Sequence, residues 1–429
     1  KIGPNYYHAS NFDELADSPI LSGKLTEASL KIKQTEISVF AYSPNDRVTA
    51  LQLLEQTKAS IKSVIDYIGF NATDHYTFLF NFLENTDLET VKFRNFGALE
   101  HSYSSLYVFP EAQVLAEIDR VSAIMRHEFF HILTPLNLHS QLIESFDFSD
   151  PKPSRHIWLY EGVTEWAALS SNVTDSSSFI VYINQLNQKI NAYQAAKSSA
   201  SLVDLALRTY DNEGSEFQTF YQKGAVVAAL LDILIIKLSD GNKNLRSVLI
   251  ELSKKYGPNR GFSEDDFFAE FVSHSYPELS DFIDQYIDGN EDLPIDQLFS
   301  TIGVSYALGD VDPNPKTIGL KLRRKDEEPF HISGFSVDYQ GDLRPGDVLS
   351  RFDNVPVTGP SDLFPAIDEA YKKYAIGDSY PLTVIRGGKP VELTIKMFKR
   401  LKSNLLIIDK TPSREQLRYR QLLYFNSKN

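Results

Sequence analysis

The first regular pattern of apolar and polar positions along the chain begins at Asn45. From there, apolar residues recur at the spacing of one helix face, which predicts an amphipathic helix. Gly69 is expected to end this helix as a C-cap, because glycine readily adopts the left-handed conformation needed there. The residues of the apolar face are Val48, Leu51, Leu54, Ile61, Ile65 and Ile68.

The segments on either side of this helix favour β-structure. Before it, residues 1–44 read as irregular and strand-like pieces such as SLKIKQTEISVFAYS, and we interpret them as the remnant of an N-terminal β-rich region. After it, YTFLFNFLE and FGALEHSYSSLYVFP are rich in the aromatic residues that strands favour. The pattern therefore predicts strands both before and after the helix.

Helices dominate the middle of the chain. The segments VSAIMRHEFFHIL and IWLYEGVTEWAALSS have the helical period, and Pro135 is expected to end the first. The near-continuous apolar run KGAVVAALLDILIIKL predicts a helix buried in a core. Residues 45–295 are therefore predicted to form one mostly helical domain with a β-rich segment.

The pattern changes again near residue 296. Short β-like runs such as PLTVIR and VELTIKMF are separated by turns, and one helical stretch, SDLFPAIDEAYKKY, interrupts them. Residues 296–405 are predicted to form a small β-rich domain with one helix, followed by a C-terminal tail at 406–429. The fold class predicted for the whole chain is multidomain α+β.

The composition fits a folded protein of several domains. The chain has 429 residues, too many for one ordinary core, and 42% of them are hydrophobic. Its net charge of −14 disfavours nucleic acid and anionic membranes as partners. Peptides and small molecules remain as candidate partners. No apolar run reaches the roughly 18 residues that cross a bilayer. The absence of cysteine excludes disulfides and thiolate metal sites.

The N-terminal sequence KIGPNYYHAS contains neither an initiator methionine nor the apolar core of a signal peptide. We expect that a leader has been removed, or that the chain is a fragment. A processed protein without cysteine fits the periplasm or the cell envelope, with the cytoplasm as the alternative.

Candidate chemistry first appears in the segment HEFFH, residues 127–131. On a helix, positions four apart lie on one face, so His127 and His131 can bind one metal ion. Glu128 would then face the open side of that ion and take a proton from the water that the metal activates. The alternative is a surface helix that carries two histidines by chance.

A third metal ligand is expected downstream, in the segment WLYEGVTEW, residues 158–166. Glu161 offers a carboxylate to the metal, and Glu165 lies one helical turn behind it. Glu165 can accept the second N–H of a ligating imidazole and so fix its tautomer. The alternative, two solvated glutamates on an amphipathic helix, is disfavoured by the large apolar neighbours Trp158 and Trp166.

Together, HEFFH and WLYEGVTEW resemble the gluzincins, zinc hydrolases in which HExxH and a downstream glutamate complete the metal site. Two further motifs narrow the resemblance to the glycyl aminopeptidase family. GALEH at 97–101 resembles its GGLEH element, comparable to GAMEN in the aminopeptidase N family, and YQKG at 221–224 resembles its YxKG element. The resemblance covers nearly the whole chain and implies a thermolysin-like, mostly helical zinc peptidase domain at residues 45–295.

The resemblance also implies a role for each motif residue. Glu128 is implied as the general base, and Tyr221 as the donor of a hydrogen bond to the oxyanion. Glu100 is implied to hold the free α-amine of the substrate, in a substrate-binding strand that also contains Gly97 and Ala98. One Zn2+ per chain is implied, with the ligands His127, His131 and Glu161.

The chain departs from the family in two respects. The family usually has a sizeable β-rich domain before the catalytic one, and here only its last part is recognisable. Ala98 stands where the family often has glycine, and its methyl group is expected to narrow the substrate pocket without changing the reaction.

The C-terminal β-rich domain resembles a bacterial PDZ domain in LRPGDVLSRFDNVPV at 343–357 and IGDSYPLTVIRGGKPVELTI at 376–395. The resemblance implies that a peptide or protein ligand adds as an extra strand along a sheet edge. The carboxylate-binding loop is expected near ISGFS, residues 332–336. The alternative is a domain that only braces the catalytic one.

These observations lead to one predicted function and two alternatives. The predicted function is a zinc-dependent aminopeptidase that removes a small N-terminal residue, Gly or Ala, from peptides with a free N-terminus. One alternative is a zinc endopeptidase of the same clan, which would have no site for a free amine. The other is a non-catalytic zinc- and peptide-binding protein, which an intact Glu128 disfavours because that residue would bind no metal.

Overall fold

The chain folds into two compact units. One runs to Ser305 and resumes at Ile408, and the other extends from Tyr306 to Ile407. The predicted boundary at residue 296 lies earlier, inside the helix Ile295–Phe299, which packs in the larger unit. The computed structural model describes residues 7–84, 97–112, 114–144, 146–196, 198, 200–211, 216–309, 314–324, 328–400 and 402–425.

A five-stranded sheet in the larger unit has the order β1-β2-β3-β5-β4. Its strands are Leu25–Ile32 (β1), Thr35–Tyr42 (β2), His75–Leu83 (β3), Gly97–His101 (β4) and Ser104–Pro110 (β5). β3 is parallel to β2 and β5, and the other pairs are antiparallel. Residues 7–44 thus supply two strands of this sheet, in which β2 buries alternate side chains beside β3.

The first helices pack beside this sheet. Phe12–Ala16 forms α1, and Ala50–Ile68 forms α2, which Gly69 ends in the left-handed conformation at a φ of 75°, as predicted. Ile118–Phe130 forms α3, which contains HEFFH up to Phe130, has His131 as its C-cap residue and ends before the cis peptide bond of Pro135. α3 contacts both α2 and β4, so the histidines lie near one edge of the sheet.

The remaining helices complete the larger unit. Wider, π-helical turns at Trp158–Val163 and Phe220–Gly224 precede the helices Thr164–Ser170 and Ala225–Leu238. The apolar run predicted to be buried is buried along nearly all of Ala225–Leu238. The helices are Gln141–Glu144 (α4), Thr164–Ser170 (α5), Ser176–Ala196 (α6), Leu202–Leu207 (α7), Ala225–Leu238 (α8), Leu245–Tyr256 (α9), Phe267–Ser273 (α10), Leu279–Tyr286 (α11) and Ile295–Phe299 (α12).

The smaller unit is rich in β-structure and has one long helix, Pro360–Lys373 (α13), which packs through Leu363 and Ala370. The strands in and beside it are Val304–Gly309 (β6), Lys316–Thr317 (β7), Leu320–Arg323 (β8), His331–Phe335 (β9), Val348–Phe352 (β10), Val355–Pro356 (β11), Ser379–Arg386 (β12), Lys389–Lys396 (β13), Phe398–Lys399 (β14) and Ser403–Ile408 (β15). The main sheet has the order β13-β12-β10-β9-β8. The prediction of a carboxylate-binding loop near ISGFS is wrong for this segment itself. The segment lies almost entirely in β9, which pairs with β8 and β10.

After β15 the chain returns to the larger unit. Arg414–Arg420 forms α14, and the guanidinium of Arg420 donates to the carbonyl oxygens of Ile302 and Gly303 at 3.0 and 2.8 Å. The predicted tail at 406–429 is therefore anchored by backbone contacts that its own sequence does not reveal. Within the described stretches, no helix combines the length and the apolar character needed to cross a bilayer.

Candidate active site

The two histidines of HEFFH lie at the end of α3 and are buried. Arg126 fixes this end of the helix, because its guanidinium donates to the carbonyl oxygen of Ala168 at 3.3 Å and to the hydroxyl of Ser60 at 2.9 Å. The ring centroids of His127 and His131 are 5.0 Å apart. Their burial excludes a surface helix with two solvated histidines.

The Nδ1 atom of each histidine lies within hydrogen-bond distance of an acceptor oxygen. His127 Nδ1 lies 2.8 Å from Oε2 of Glu165, and His131 Nδ1 lies 3.0 Å from the carbonyl oxygen of Thr134. Because a carbonyl only accepts, His131 has its proton on Nδ1, and the lone pair of Nε2 is available to a metal. Glu165 lies behind an imidazole, where its spacing from Glu161 predicts it.

The carboxylate of Glu165 is held in its ionised form. Burial alone would raise its pKa, but the hydrogen bond from His127 and the charge of Lys189 outweigh burial and lower the pKa to about 2. The ionised carboxylate accepts the Nδ1–H of His127, so Nε2 is the nitrogen of this histidine that faces the cluster.

Glu161 completes a cluster of three candidate ligand atoms. Its Oε2 lies 3.3 Å from Nε2 of His127 and 3.9 Å from Nε2 of His131. A tetrahedral zinc ion with bonds of about 2.0–2.2 Å separates its ligand atoms by about 3.3–3.6 Å. Two imidazoles and one carboxylate are also a donor set of catalytic zinc sites. The three residues therefore fit a zinc ion in chemistry; the 3.3 Å distance lies within the zinc range and the 3.9 Å distance is slightly longer.

Glu128 faces the same space. A carboxylate oxygen of Glu128 and ligand atoms of Glu100 and His131 all lie within 4.8 Å of one another. Burial raises the pKa of Glu128 to about 7; the neighbouring histidines oppose this rise, and the charges of Glu100 and Glu161 add to it. The hydroxyl of Tyr76 donates to the backbone carbonyl of Glu128 at 3.1 Å and holds this position. Such a carboxyl group can take up and release a proton near neutral pH.

Strand β4 brings Glu100 to the site. In the order of the five-stranded sheet β4 is outermost, and it contacts α3. Gly97 begins the strand, and strand alternation places Ala98 and Glu100 on one face and the exposed Leu99 on the other. The structure thus places Glu100 beside Glu128, with Ala98 on the same face.

Tyr221 approaches the cluster from the turn Phe220–Gly224. Its ring centroid lies 5.3 Å from that of His127, and its hydroxyl interacts with the carboxylate of Glu161. Burial, reinforced by the charges of Glu161 and Glu100, raises the pKa of Tyr221 far above its ordinary range. The phenol therefore stays protonated and keeps a hydrogen to donate.

The two π-helical turns meet at a pair of glycines. A Cβ atom added to Gly162 would lie 2.7 Å from Cα of Gly224 and 3.1 Å from the carbonyl oxygen of Phe220. The first distance is too short for a side chain unless the backbone moves, and the second is tighter than an ordinary contact. Gly162 follows Glu161, and Gly224 lies in the turn of Tyr221. The close glycine contact therefore sets the spacing between the carboxylate and the phenol.

Substituting Gly162 with Ala should push these turns apart. We expect the overpacking to lower the free energy of unfolding by about 1–3 kcal/mol, and the displaced Glu161 to bind zinc more weakly. Chemical denaturation and zinc titration of the full chain measure the two effects. Gly359→Ala is the control, because its added Cβ comes no closer than 3.9 Å to the described residues, at Arg324. An unchanged zinc affinity in Gly162→Ala would contradict the spacing role.

Lys189 lies inside the site, although no sequence motif points to it. Its Nζ is 2.6 Å from Oε1 of Glu165 and 3.2 Å from the carbonyl oxygen of Tyr221. It shares the buried face of α6 with Tyr182 and Leu186. A lysine in phase with the apolar residues of a helix is the signal that could have found it, since buried lysines are rare unless paired.

The fold is similar to that of a solved structure. The crystal structure of an aminopeptidase N family protein from Idiomarina loihiensis matches with a TM-score of 0.73 and 19% identity, over 97% of this chain and 73% of that chain. An M1 zinc metallopeptidase from Deinococcus radiodurans gives a TM-score of 0.42 and 14% identity, over 63% of this chain and 54% of that chain. The first of these likenesses shows a shared mixed α+β, multidomain fold.

The family model of the M61 glycyl aminopeptidases matches residues 120–227, which contain HEFFH, WLYEGVTEW and YQKG together with the buried cluster of His127, His131 and Glu161. The predicted resemblance to the glycyl aminopeptidases is therefore confirmed. A comparison of the sequence with curated proteins found no match.

Proposed function

We propose that the protein is a zinc-dependent aminopeptidase that removes a small N-terminal residue, Gly or Ala, from peptides. The observation that carries this proposal is the position of Glu100, whose carboxylate lies within 4.8 Å of ligand atoms of Glu128 and His131. A substrate ammonium that enters a buried site must meet a carboxylate there, because an unpaired buried charge is costly. Glu100 supplies that carboxylate beside the groups proposed to cleave the peptide bond.

His127, His131 and Glu161 would hold one zinc ion per chain. Zinc, when bound, polarises the scissile carbonyl and makes a water molecule more acidic. Glu165 keeps the imidazole of His127 in the tautomer that leaves Nε2 free, and its negative charge makes that nitrogen a stronger donor.

Glu128 is the general base in this proposal. Its raised pKa, about 7, suits a group that first removes a proton from the attacking water and then gives it to the leaving amine. Glu100 has a separate task, since its charge is matched by the ammonium of the substrate. Tyr221 stays protonated and donates a hydrogen bond to the oxyanion.

Strand β4 supplies the rest of the substrate site. A peptide can add alongside an outermost strand through backbone hydrogen bonds, here next to Gly97 and Ala98. The methyl group of Ala98 lies on the face that also holds Glu100, which leaves less room for the first side chain of the substrate. We therefore expect Gly and Ala to be preferred over bulkier N-terminal residues.

Metal analysis and a panel of aminoacyl fluorogenic substrates test the proposal together. We expect about one zinc per chain and hydrolysis of glycyl and alanyl substrates, with N-acetylated versions left uncleaved. Equal cleavage of blocked peptides would favour a zinc endopeptidase. Zinc binding without turnover of any peptide would favour a non-catalytic binding protein.

For the smaller unit we propose a PDZ-like module that binds peptide. In its main sheet β8 is outermost among the described strands, and Gly319, with a φ of 74°, turns the chain into it. The exposed Lys321 and Arg323 alternate along β8 with the half-buried Leu320 and Leu322. A peptide that adds along β8 would meet a positively charged edge, which favours acidic segments. The alternative is a module that only braces the catalytic domain.

A further inference from the structure

Lys189 makes contacts that none of the roles above explains. Its side chain is only 10% exposed, on the buried face of α6. Its ammonium lies 2.6 Å from Oε1 of Glu165 and 3.2 Å from the carbonyl oxygen of Tyr221. One cation therefore bonds to a side chain of α5 and to the backbone of the turn Phe220–Gly224.

These contacts connect Lys189 both to a proposed zinc ligand and to the proposed oxyanion donor. The second oxygen of Glu165, Oε2, lies 2.8 Å from Nδ1 of His127, a proposed zinc ligand. The carbonyl group that accepts from Lys189 belongs to Tyr221, whose ring centroid lies 5.3 Å from that of His127 and whose hydroxyl interacts with Glu161. Movement of the ammonium would therefore disturb the carboxylate behind one ligand and the phenol beside another.

A second cation, Arg126, lies close enough to Glu165 to interact with its charge, but its hydrogen bonds go to other groups. Arg126 is attracted electrostatically to Glu165, whereas its guanidinium donates to Ala168 and Ser60. Within the described part of the chain, Lys189 is thus the cation in direct contact with the Glu165 carboxylate.

We propose that Lys189 is a positioning residue for the aminopeptidase reaction, an inference that rests on the proposed function. The ammonium holds Glu165 against His127 and holds the backbone of Tyr221 at the same time. It thereby supports both zinc affinity and the placement of the Tyr221 hydroxyl. Lysine suits this task because its three N–H donors serve acceptors in different directions.

Lys189→Met tests the inference, because it keeps an unbranched apolar side chain and removes both contacts. We expect zinc affinity, measured by chelator competition on the full chain, to fall by roughly 10- to 100-fold, as for other partners of metal ligands. With zinc at saturation, kcat for a glycyl substrate should fall by roughly tenfold or more, with little change in KM. Lys189→Arg keeps the charge and the donors and should recover most of the zinc affinity.

Lys243→Met is the matched control. The ammonium of Lys243, in the same unit, also donates to one carbonyl, that of His274 at 2.9 Å, and forms an ion pair with one carboxylate, that of Glu251 at 3.6 Å. This variant should leave zinc affinity and kcat close to those of the wild type. Equal losses in the two methionine variants would overturn the positioning role, since a general loss of stability would then explain both.

Glu165→Gln provides a second test, and replaces Lys189→Met if that variant does not fold. A loss of zinc affinity of similar size is expected, because the amide no longer attracts the ammonium. If both variants fold, combining them should cost little more than one alone. Unchanged zinc affinity in either variant, or fully additive losses, overturns the inference. A wild type that binds zinc but cleaves no aminoacyl substrate overturns the proposed function instead.

Discussion

Replacing Glu128 with Gln should leave zinc bound and remove turnover. The amide has nearly the shape of the carboxylate but cannot take a proton near neutral pH, and the proposed ligands His127, His131 and Glu161 are untouched. Losing a general base commonly costs about a hundred- to ten-thousandfold in rate, and we expect kcat for glycyl and alanyl substrates to fall to the lower end of what can be detected. Metal analysis and kinetics on the same preparation measure both quantities.

Glu111→Gln is the matched control for this variant. Glu111 is equally buried, but its carboxylate accepts from the backbone and side chain of Asn45, at 3.1 and 2.8 Å, in the loop before α2. Loss of the Glu111 carboxylate should leave zinc content and turnover per folded molecule unchanged. Loss of zinc from Glu128→Gln would show that Glu128 is itself a ligand and that the carboxylate roles are misassigned.

Helices of this fold could be predicted because they depend on residues one turn apart. The apolar face that ends at Ile68, with Gly69 after it, predicts the end of α2, whereas the helix begins at Ala50 and not at Asn45, and Leu51 of the predicted face is exposed. Strand partners depend on residues far along the chain. β2 pairs in parallel with β3 across the whole of α2, and nothing in residues 1–44 indicates this partner. The sequence likewise gives no sign that Arg420 donates a hydrogen bond to the carbonyl oxygen of Ile302.

The residues of the candidate site also differ in how far the sequence alone predicts their positions. His127 and Glu128 lie within one helical turn, so HEFFH alone predicts how they face a metal. The 3.3 Å between His127 and Glu161 is produced by the packing of separate helices, and the motifs only suggested it. Glu100 carries no spacing signal of its own and was identified through the resemblance of GALEH. Lys189 has a partner on another helix and belongs to no motif, so its contact with Glu165 appears only in the folded chain.

Removing the carboxylate of Glu100 should weaken every reaction that depends on a free N-terminus. The ammonium of a bound peptide loses water as it enters the site, and a charge pair left half-made costs about 2–5 kcal/mol. We therefore expect Glu100→Ala to lower kcat/KM for aminoacyl substrates by roughly thirty- to several-thousandfold. Zinc content should stay the same, because the proposed ligands His127, His131 and Glu161 remain. Kinetics with glycyl and alanyl substrates, alongside metal analysis, measure the two effects.

Two comparisons separate an amine-binding role of Glu100 from other roles. Leu99→Ala changes the same strand on its exposed face and should leave kcat/KM near the wild-type value. N-acetylated peptides have no ammonium, so they should be poor substrates of the wild type and should lose little further in Glu100→Ala. An endopeptidase would cleave blocked peptides as readily as free ones and would keep its activity without Glu100. In that case Glu100 would act only through Glu128, whose pKa it helps to raise.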